Sequence, residues 1–216
     1  SDTVPSFSRK FNYGILLEKI PHFAIAIGFG IRSIQDQDKF GALGTQNISH
    51  NFLERIALGG YALITYLWKA VLPIGLSNFY PYPTKTGNFI QLQYFLFPLA
   101  VVLLLFVVWK FARKNKAIVF GILFFLANIA LLLQFIPVGG AIIADRYSYI
   151  PYLGLFFTAG WFVAGFFEEG DKSKYKYTVL AASVVYIGYL GYQSNIRCKV
   201  WYDTISLWQD EIEKQP

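Results

Sequence analysis

The sequence predicts an all-α protein, a polytopic bundle of helices that crosses a membrane four to five times. The first observation is composition, because 55% of the 216 residues are hydrophobic and only 15% are charged. The second is that the hydrophobic residues form long runs. Four segments contain no Asp, Glu, Lys or Arg, namely 87–109, 117–144, 147–167 and 177–196. Each can supply the roughly 20 apolar residues that a membrane-spanning helix requires.

These runs define a predicted transmembrane domain over residues 1–195. We expect spans at about 20–34, 93–110, 117–136, 150–167 and 177–195, of which the first is the weakest. The third observation is the position of the positive charges. Lys110, Arg113, Lys114 and Lys116 fall within seven residues that contain no acid, so the positive-inside rule makes this connection cytoplasmic.

Alternation of the spans then predicts the side of the other connections. Residues 73–92, 137–149 and the chain after Ser194 lie outside, and 168–176 lies inside. The basic N-terminus would also lie inside, so only one of the two apolar stretches before residue 73 can cross.

The stretch 53–72 is the one that we expect not to cross. Glu54, Arg55 and Lys69 flank only 13 uncharged residues, 56–68, and two of these are glycines. This pattern is typical of an interfacial or re-entrant helix, here on the outer face. The alternative is an N-terminus outside the membrane followed by six true crossings.

The last segment, 196–216, is predicted to be an external amphipathic helix. Trp201, Ile205, Trp208 and Ile212 follow one another at intervals of four, three and four, which forms one apolar stripe. Such a helix lies on the membrane surface or leads into a soluble domain beyond residue 216. The chain contains no methionine, which indicates a fragment or a processed chain.

Several kinds of chemistry find no support in the sequence. His22 and His50 have no partner at metal-ligand spacing, the single cysteine is Cys198, and Gly-rich phosphate loops are absent. We therefore expect no metal and no cofactor, and no residue is identified as a catalytic base. Because the net charge of +6 comes mostly from short connecting segments, nucleic acid is not an expected partner.

Asp145 and Arg146 are the most informative charges, because they interrupt an otherwise apolar passage from Ala117 to Phe167. One interpretation is an outer turn whose two charges compensate each other. The other is a shallow site at the outer interface, in which the guanidinium of Arg146 binds an anionic headgroup.

A second candidate site is the loop that follows the stretch 53–72. Lys69 precedes a segment with three prolines and a glycine, and Tyr80 and Tyr82 offer flat faces with hydroxyls. Such a surface suits a sugar or a lipid headgroup. The alternatives are a rigid external loop on the aromatic belt, and a Lys69 that reaches bulk lipid phosphates.

Three separated blocks of the chain resemble one family in the same order. The blocks are 18–23, then Tyr66, Lys69, Pro73, Gly75, Leu76 and Tyr80-Pro81, and then Ala144–Gly154 with its Asp-Arg-Tyr-x-Tyr-x-Pro motif. The stretch 201–208 is similar to the link between the last span and the repeats of that family. The resemblance is to the membrane part of the tetratricopeptide-repeat O-mannosyltransferases, within the type C glycosyltransferases.

The resemblance implies an enzyme that moves a sugar from a polyprenyl-phosphate donor to a protein or glycan hydroxyl at the outer face. Arg146 would hold the donor phosphate and Asp145 would orient it, with Lys69 and Tyr80 in the same pocket. The remaining expected substrate-binding residues are Tyr82, Tyr147 and Tyr149. The base of such an enzyme would precede Ser1, so the chain alone is expected to be inactive.

Two other functions compete with this one. The chain would otherwise be a non-catalytic structural subunit that binds partner membrane subunits. A transporter ranks third, because no charge lies clearly at mid-membrane. In each case membrane lipids are partners, and the bacterial inner membrane is favoured over the endoplasmic reticulum.

Overall fold

The computed structural model describes residues 14, 17–39, 50–85, 89–133, 141–167 and 174–214. Seven α-helices lie within these ranges: α1 (Ile20–Lys39), α2 (Phe52–Val71), α3 (Phe97–Ala112), α4 (Lys116–Ala130), α5 (Tyr149–Ala164), α6 (Lys176–Val200) and α7 (Thr204–Lys214). Two 3-10 helices, Leu92–Leu96 and Asp145–Ser148, precede α3 and α5. The predicted all-α fold class is confirmed.

The chain forms two compact units, Ser1–Asn47 and Ile48–Pro216. The first contains α1, which includes the predicted span 20–34 but continues through charged residues to Lys39. The Asp36 carboxylate forms ion pairs with Arg32, at an N···O distance of 3.3 Å, and with Lys39, at 3.8 Å. Such pairs are expected between residues on neighbouring turns of one helix. The second unit contains the other helices and both candidate sites.

Helix α2 begins and ends where its sequence dictates. Asn51 caps it, because its side chain accepts from the Glu54 N–H at 3.0 Å while the Glu54 carboxylate accepts from the Asn51 N–H at 2.9 Å. Leu72 is extended, and Pro73 cannot continue the helix. Of its side chains, Leu58 and Tyr66 are fully buried, so α2 lies in the core of the second unit.

Helices α4 and α5 pack antiparallel through glycines. A Cβ on Gly121 would come within 2.6 Å of the Gly154 carbonyl oxygen, and one on Gly154 within 2.8 Å of the Phe125 nitrogen. Only glycine permits this approach, which is typical of helix pairs in membranes. The hydrophobic core continues from this pair into α2 through Phe125 and Ile129.

Two short antiparallel strands pair with each other, β1 (Tyr80–Pro81) and β2 (Ala141–Ile143). Tyr80 lies opposite Ile143 and Pro81 opposite Ala141. These strands carry no pattern in the sequence that predicts them. They join the loop after α2 to the segment before α5.

The predicted number of spans is supported only in part. Within the described residues, one stretch, Leu92–Ala112, is long and apolar enough to cross a membrane. Helix α4 is apolar but ends at Ala130, before the predicted end at residue 136, and α5 ends at Ala164 in a turn at Gly165. Length and composition therefore support one candidate span rather than four or five.

Candidate functional site

Three segments meet at one end of the second unit: the loop 72–82, the segment 141–148, and α7. All three were predicted to lie on the same side of the membrane. Their polar residues form what we call the polar cluster, which consists of Lys69, Ser77, Asn78, Tyr80, Asp145, Arg146, Arg197, Asp210, Glu211 and Lys214.

Asp145 fixes the loop from the segment before α5. Its Oδ2 accepts from the Ser77 N–H at 2.6 Å and lies 3.2 Å from the Tyr80 hydroxyl. Burial raises the pKa of Asp145, and the positive charge of Lys69 and these hydrogen bonds oppose the rise. Burial and the Asp145 charge raise the pKa of Tyr80, so its hydroxyl stays protonated.

Lys69 is buried and turned toward the same loop. Its Nζ donates to the carbonyls of Ile74 at 3.3 Å and Gly75 at 3.0 Å, and lies 4.9 Å from the Tyr80 ring centre. Gly75 has φ +62°, a conformation that favours glycine and shapes this turn. Burial lowers the pKa of Lys69, and the Asp145 charge counteracts it. Lys69 is thus a cation without a direct carboxylate partner in the described part of the chain.

Arg146 is exposed and binds the loop at a different point from Asp145. Its Nη1 donates to the side-chain oxygen of Asn78 and, at 3.4 Å, to the Asn78 carbonyl, and the guanidinium lies 5.0 Å from the Tyr147 ring centre. Among the described ion pairs there is none between Asp145 and Arg146. Asp145 therefore does not hold Arg146 through a direct ion pair.

The other two predicted residues lie elsewhere. Tyr149 begins α5 with 72% of its surface exposed. Tyr82 packs against His50, with ring centres 5.4 Å apart. Of the seven predicted residues, the structure brings Lys69, Tyr80 and Asp145 together and sets Arg146 and Tyr147 beside them.

Sequence reasoning missed the contribution of α7. Glu211 is only 6% exposed, and its Oε2 accepts from the Ser77 hydroxyl at 2.6 Å and from the N–H groups of Asn78 at 3.1 Å and Phe79 at 3.2 Å. The apolar stripe was a usable signal, because Ile205, Trp208 and Ile212 point outward and leave the opposite face to the loop.

Two basic residues tie α7 to its surroundings. Asp210 forms ion pairs with Arg197 of α6 at 2.8 Å and with Lys214 at 2.6 Å, and Lys214 also donates to the Leu76 carbonyl at 2.8 Å. Burial favours the neutral form of Asp210, but these two cations outweigh it and hold its pKa below the ordinary value.

A second group of charges surrounds the start of α2. Glu54 is fully buried and accepts from Lys85 at 3.0 Å and from the Ile90 N–H at 3.1 Å, and His50 Nδ1 lies 3.4 Å from it. His50 therefore has a partner that the sequence analysis did not identify. The described residues contain no group of three or more His, Cys, Asp or Glu that could hold a metal ion.

A groove of about 750 Å³ runs between α2, α3, α4 and α5, and Tyr186 of α6 also lines it. Its lining is almost entirely apolar: Leu63, Ile64, Leu67, Trp68, Ala70, Val71, Leu104, Leu105, Val108, Ile122, Phe125, Leu126, Leu155, Phe156, Ala159 and Tyr186. Trp68 and Ala70 are the neighbours of Lys69 in the chain. The groove and the polar cluster therefore share the last turn of α2.

Comparison of the chain with models of known protein families, with curated proteins and with solved structures finds no match.

Proposed function

We propose that the chain is part of an integral membrane glycosyltransferase that moves a sugar from a polyprenyl-phosphate donor to a protein or glycan hydroxyl at the outer face. The observation that carries the proposal is the apolar groove beside a cluster of cations. A polyprenyl phosphate has the same two parts, a long apolar tail and an anionic head. The proposal that a sugar is transferred from this lipid to a hydroxyl rests on the resemblance to the type C glycosyltransferases.

The groove suits the lipid tail. Ligand pockets range from about 300 to 1,000 Å³ and are lined mainly by apolar side chains, and this groove fits both descriptions. It offers few hydrogen-bonding groups, which disfavours a free sugar or nucleotide. An isoprenoid chain needs only apolar contact.

The polar cluster suits the phosphate. Among the described residues, Arg146 donates hydrogen bonds only through Nη1, and its side chain is exposed. Its remaining donors match the planar arrangement of two phosphate oxygens. During sugar transfer, the positive charge of Arg146 would stabilise the departing lipid phosphate.

The outer surfaces of the helices support several membrane crossings. Large apolar side chains are exposed on three helices: Leu99, Val102, Leu103, Phe106 and Trp109 on α3, Leu153 and Phe162 on α5, and Val184, Val185 and Ile187 on α6. So much exposed apolar surface is typical of contact with lipid or with another protein. We propose that α3, α4, α5 and α6 cross the membrane, and that α2 enters it from the outer face.

A non-catalytic structural subunit is the second candidate function. Helix α6 favours it, because none of its 25 residues is buried within the chain. A partner membrane subunit could cover the exposed surface of that helix in place of lipid. The two functions differ in one expectation: a glycosyltransferase binds a polyprenyl phosphate at a specific site, whereas a structural subunit does not.

The test is binding of a polyprenyl phosphate to the purified chain in detergent, compared with binding to Arg146→Gln. We expect the substitution to weaken binding at least about tenfold, because a hydrogen bond between charged groups contributes about 1.5 to 3 kcal/mol. Arg113→Gln is the matched control, since Arg113 lies on the predicted opposite side. Equal affinity of wild type and Arg146→Gln would exclude the phosphate role of Arg146.

A further inference from the structure

The turn Ser77–Phe79 directs its donors toward carboxylates from two distant parts of the chain. The Ser77 N–H donates to Asp145, whereas the Ser77 hydroxyl and the N–H groups of Asn78 and Phe79 all donate to Glu211 Oε2. Successive N–H groups that converge in this way form a concave binding site for anions. The turn is therefore built to hold a negatively charged oxygen.

Three cations donate to backbone carbonyls of the turn and of the three residues before it. Lys69 donates to the carbonyls of Ile74 and Gly75, Lys214 donates to that of Leu76, and Arg146 donates to that of Asn78. These three positive charges increase the affinity of the turn for an anion. Counted over the polar cluster, four cations, Lys69, Arg146, Arg197 and Lys214, face three carboxylates, because Asp210 pairs with Arg197 and Lys214 and Asp145 lies beside the turn.

Glu211 fits this site incompletely. Its Oε2 takes three hydrogen bonds, but its Oε1 is buried and has no hydrogen-bond partner among the described residues. A buried carboxylate oxygen without a partner is unfavourable. Glu211 thus accepts the hydrogen bonds that the turn offers, but one of its own carboxylate oxygens has no donor among the described residues.

We infer that the turn Ser77–Phe79 is a binding site for a phosphate group, and that Glu211 occupies it when no phosphate is bound. A phosphate oxygen would take the place of Oε2 and accept the same three hydrogen bonds. The ligand is a phosphate on a lipid carrier or a free phosphate, and the lipid-linked form of this inference rests on the proposed function. Because Glu211 belongs to α7, binding would also displace that helix from the loop.

The test compares wild type with Glu211→Gln, using inorganic phosphate and a short-chain polyprenyl phosphate as separate probes. Gln keeps the size of the side chain and one acceptor oxygen, but it is a weaker competitor because it is neutral. We expect Glu211→Gln to bind at least one probe about tenfold more tightly than wild type does, which corresponds to about 1.4 kcal/mol. Glu213→Gln, an exposed position on the same helix, is the matched control and should leave the affinity unchanged.

The two probes distinguish the sources of the phosphate. Tighter binding of the polyprenyl phosphate supports both the inference and the proposed function. Tighter binding of inorganic phosphate alone supports the inference and contradicts a lipid-linked donor. Unchanged affinity for both probes overturns the inference, whereas the proposed function is still decided by Arg146→Gln.

A second measurement leaves Glu211 intact and so does not depend on how the variant folds. Cys198 is the single cysteine of the chain, is exposed, and follows Arg197, the ion-pair partner of α7. A fluorophore on Cys198 should report displacement of α7 as a saturable change on addition of phosphate. The same response to chloride at equal ionic strength, or no response, would overturn the inference.

Discussion

The hydroxyl of Tyr80 lies 3.2 Å from Oδ2 of Asp145, although 65 residues separate them in the chain. The same carboxylate oxygen accepts the Ser77 N–H at 2.6 Å. One side chain at the start of a 3-10 helix therefore fixes the loop that follows α2. Because this loop contributes both Ser77 and the carbonyls that hold Lys69, Asp145 organises the cluster without an ion pair to Arg146.

Asp145→Asn should change how stability depends on pH. Burial raises the pKa of Asp145 in the folded state above its ordinary value of 3.8, so folding favours the protonated form. The contribution of this group is most favourable below pH 3.8 and is lost as pH rises through the folded pKa. We expect the free energy of unfolding of the wild type, minus that of Asp145→Asn, to fall as pH rises from 3.8 to the folded pKa. Above the folded pKa the difference should stay constant.

Thermal unfolding of both proteins in detergent, from pH 3.5 to pH 8, measures this difference. Comparison with the variant cancels the contributions of the other carboxylates. A difference that increases with pH would contradict the assignment.

Glu54→Gln should destabilise the second unit by about 2 kcal/mol, because it weakens the capping box and the ion pair with Lys85. Burial opposes ionisation of Glu54, but Lys85 and the N–H groups of Asn51 and Ile90 hold its pKa below the ordinary 4.5. Its stabilisation is present above pH 4.5 and is lost as pH falls through the folded pKa.

The loss of stability in Glu54→Gln should therefore be greatest at neutral pH and smaller in acid. Unfolding in denaturant at pH 7 and pH 4 measures it, with Glu213→Gln as an exposed control. A variant as stable as wild type at pH 7 would show that the buried carboxylate contributes nothing.

Gly154→Ala should destabilise the α4–α5 pair by about 2 kcal/mol, since the added methyl group would collide with the backbone of α4. Gly160→Ala lies on the same helix, and its Cβ would meet no atom within 4 Å. That control should be neutral or stabilising, because alanine favours a helix more than glycine does. Equal melting temperatures for the two variants would contradict the close approach of α4 and α5.

Labelling of single cysteines tests the proposed membrane topology. Cys198 should react with a membrane-impermeant maleimide in intact cells, because it lies at the end of α6 on the predicted outer side. Lys114→Cys in a Cys198→Ser background should react only after the membrane is permeabilised. Reaction of both positions in intact cells would exclude an odd number of crossings between them.

The helices were predictable because their apolar runs and end signals are local. The bounds of α2 agree with the predicted 53–72 within one residue, since Asn51 and Pro73 act on adjacent residues. The lengths of α4 and α5 were overestimated. Hydrophobicity does not reveal where a helix ends, and α5 ends at Ala164, with Gly165 as its C-cap, although apolar residues follow.

The site was predictable only where its residues carry unusual local signals. Charges and aromatics beside apolar runs identified Lys69, Tyr80 and Asp145. The apolar stripe of α7 indicated which face of that helix is polar, but it did not single out Glu211. Its partner Ser77 lies 134 residues away, and an acid on a polar helix face is ordinarily exposed. Asp145 and Arg146 contact different residues of the loop 72–82. Those contacts could not be predicted, because they depend on the tertiary position of the loop.

The most direct test of the account is photo-crosslinking with a polyprenyl phosphate that carries a diazirine on its tail. We expect crosslinks to less exposed groove residues such as Leu104, Val108 and Leu155, and loss of these crosslinks in Arg146→Gln. Crosslinks confined to outward-facing side chains such as Leu103, Leu153 and Val185 would contradict it, because the lipid would then only coat the helices.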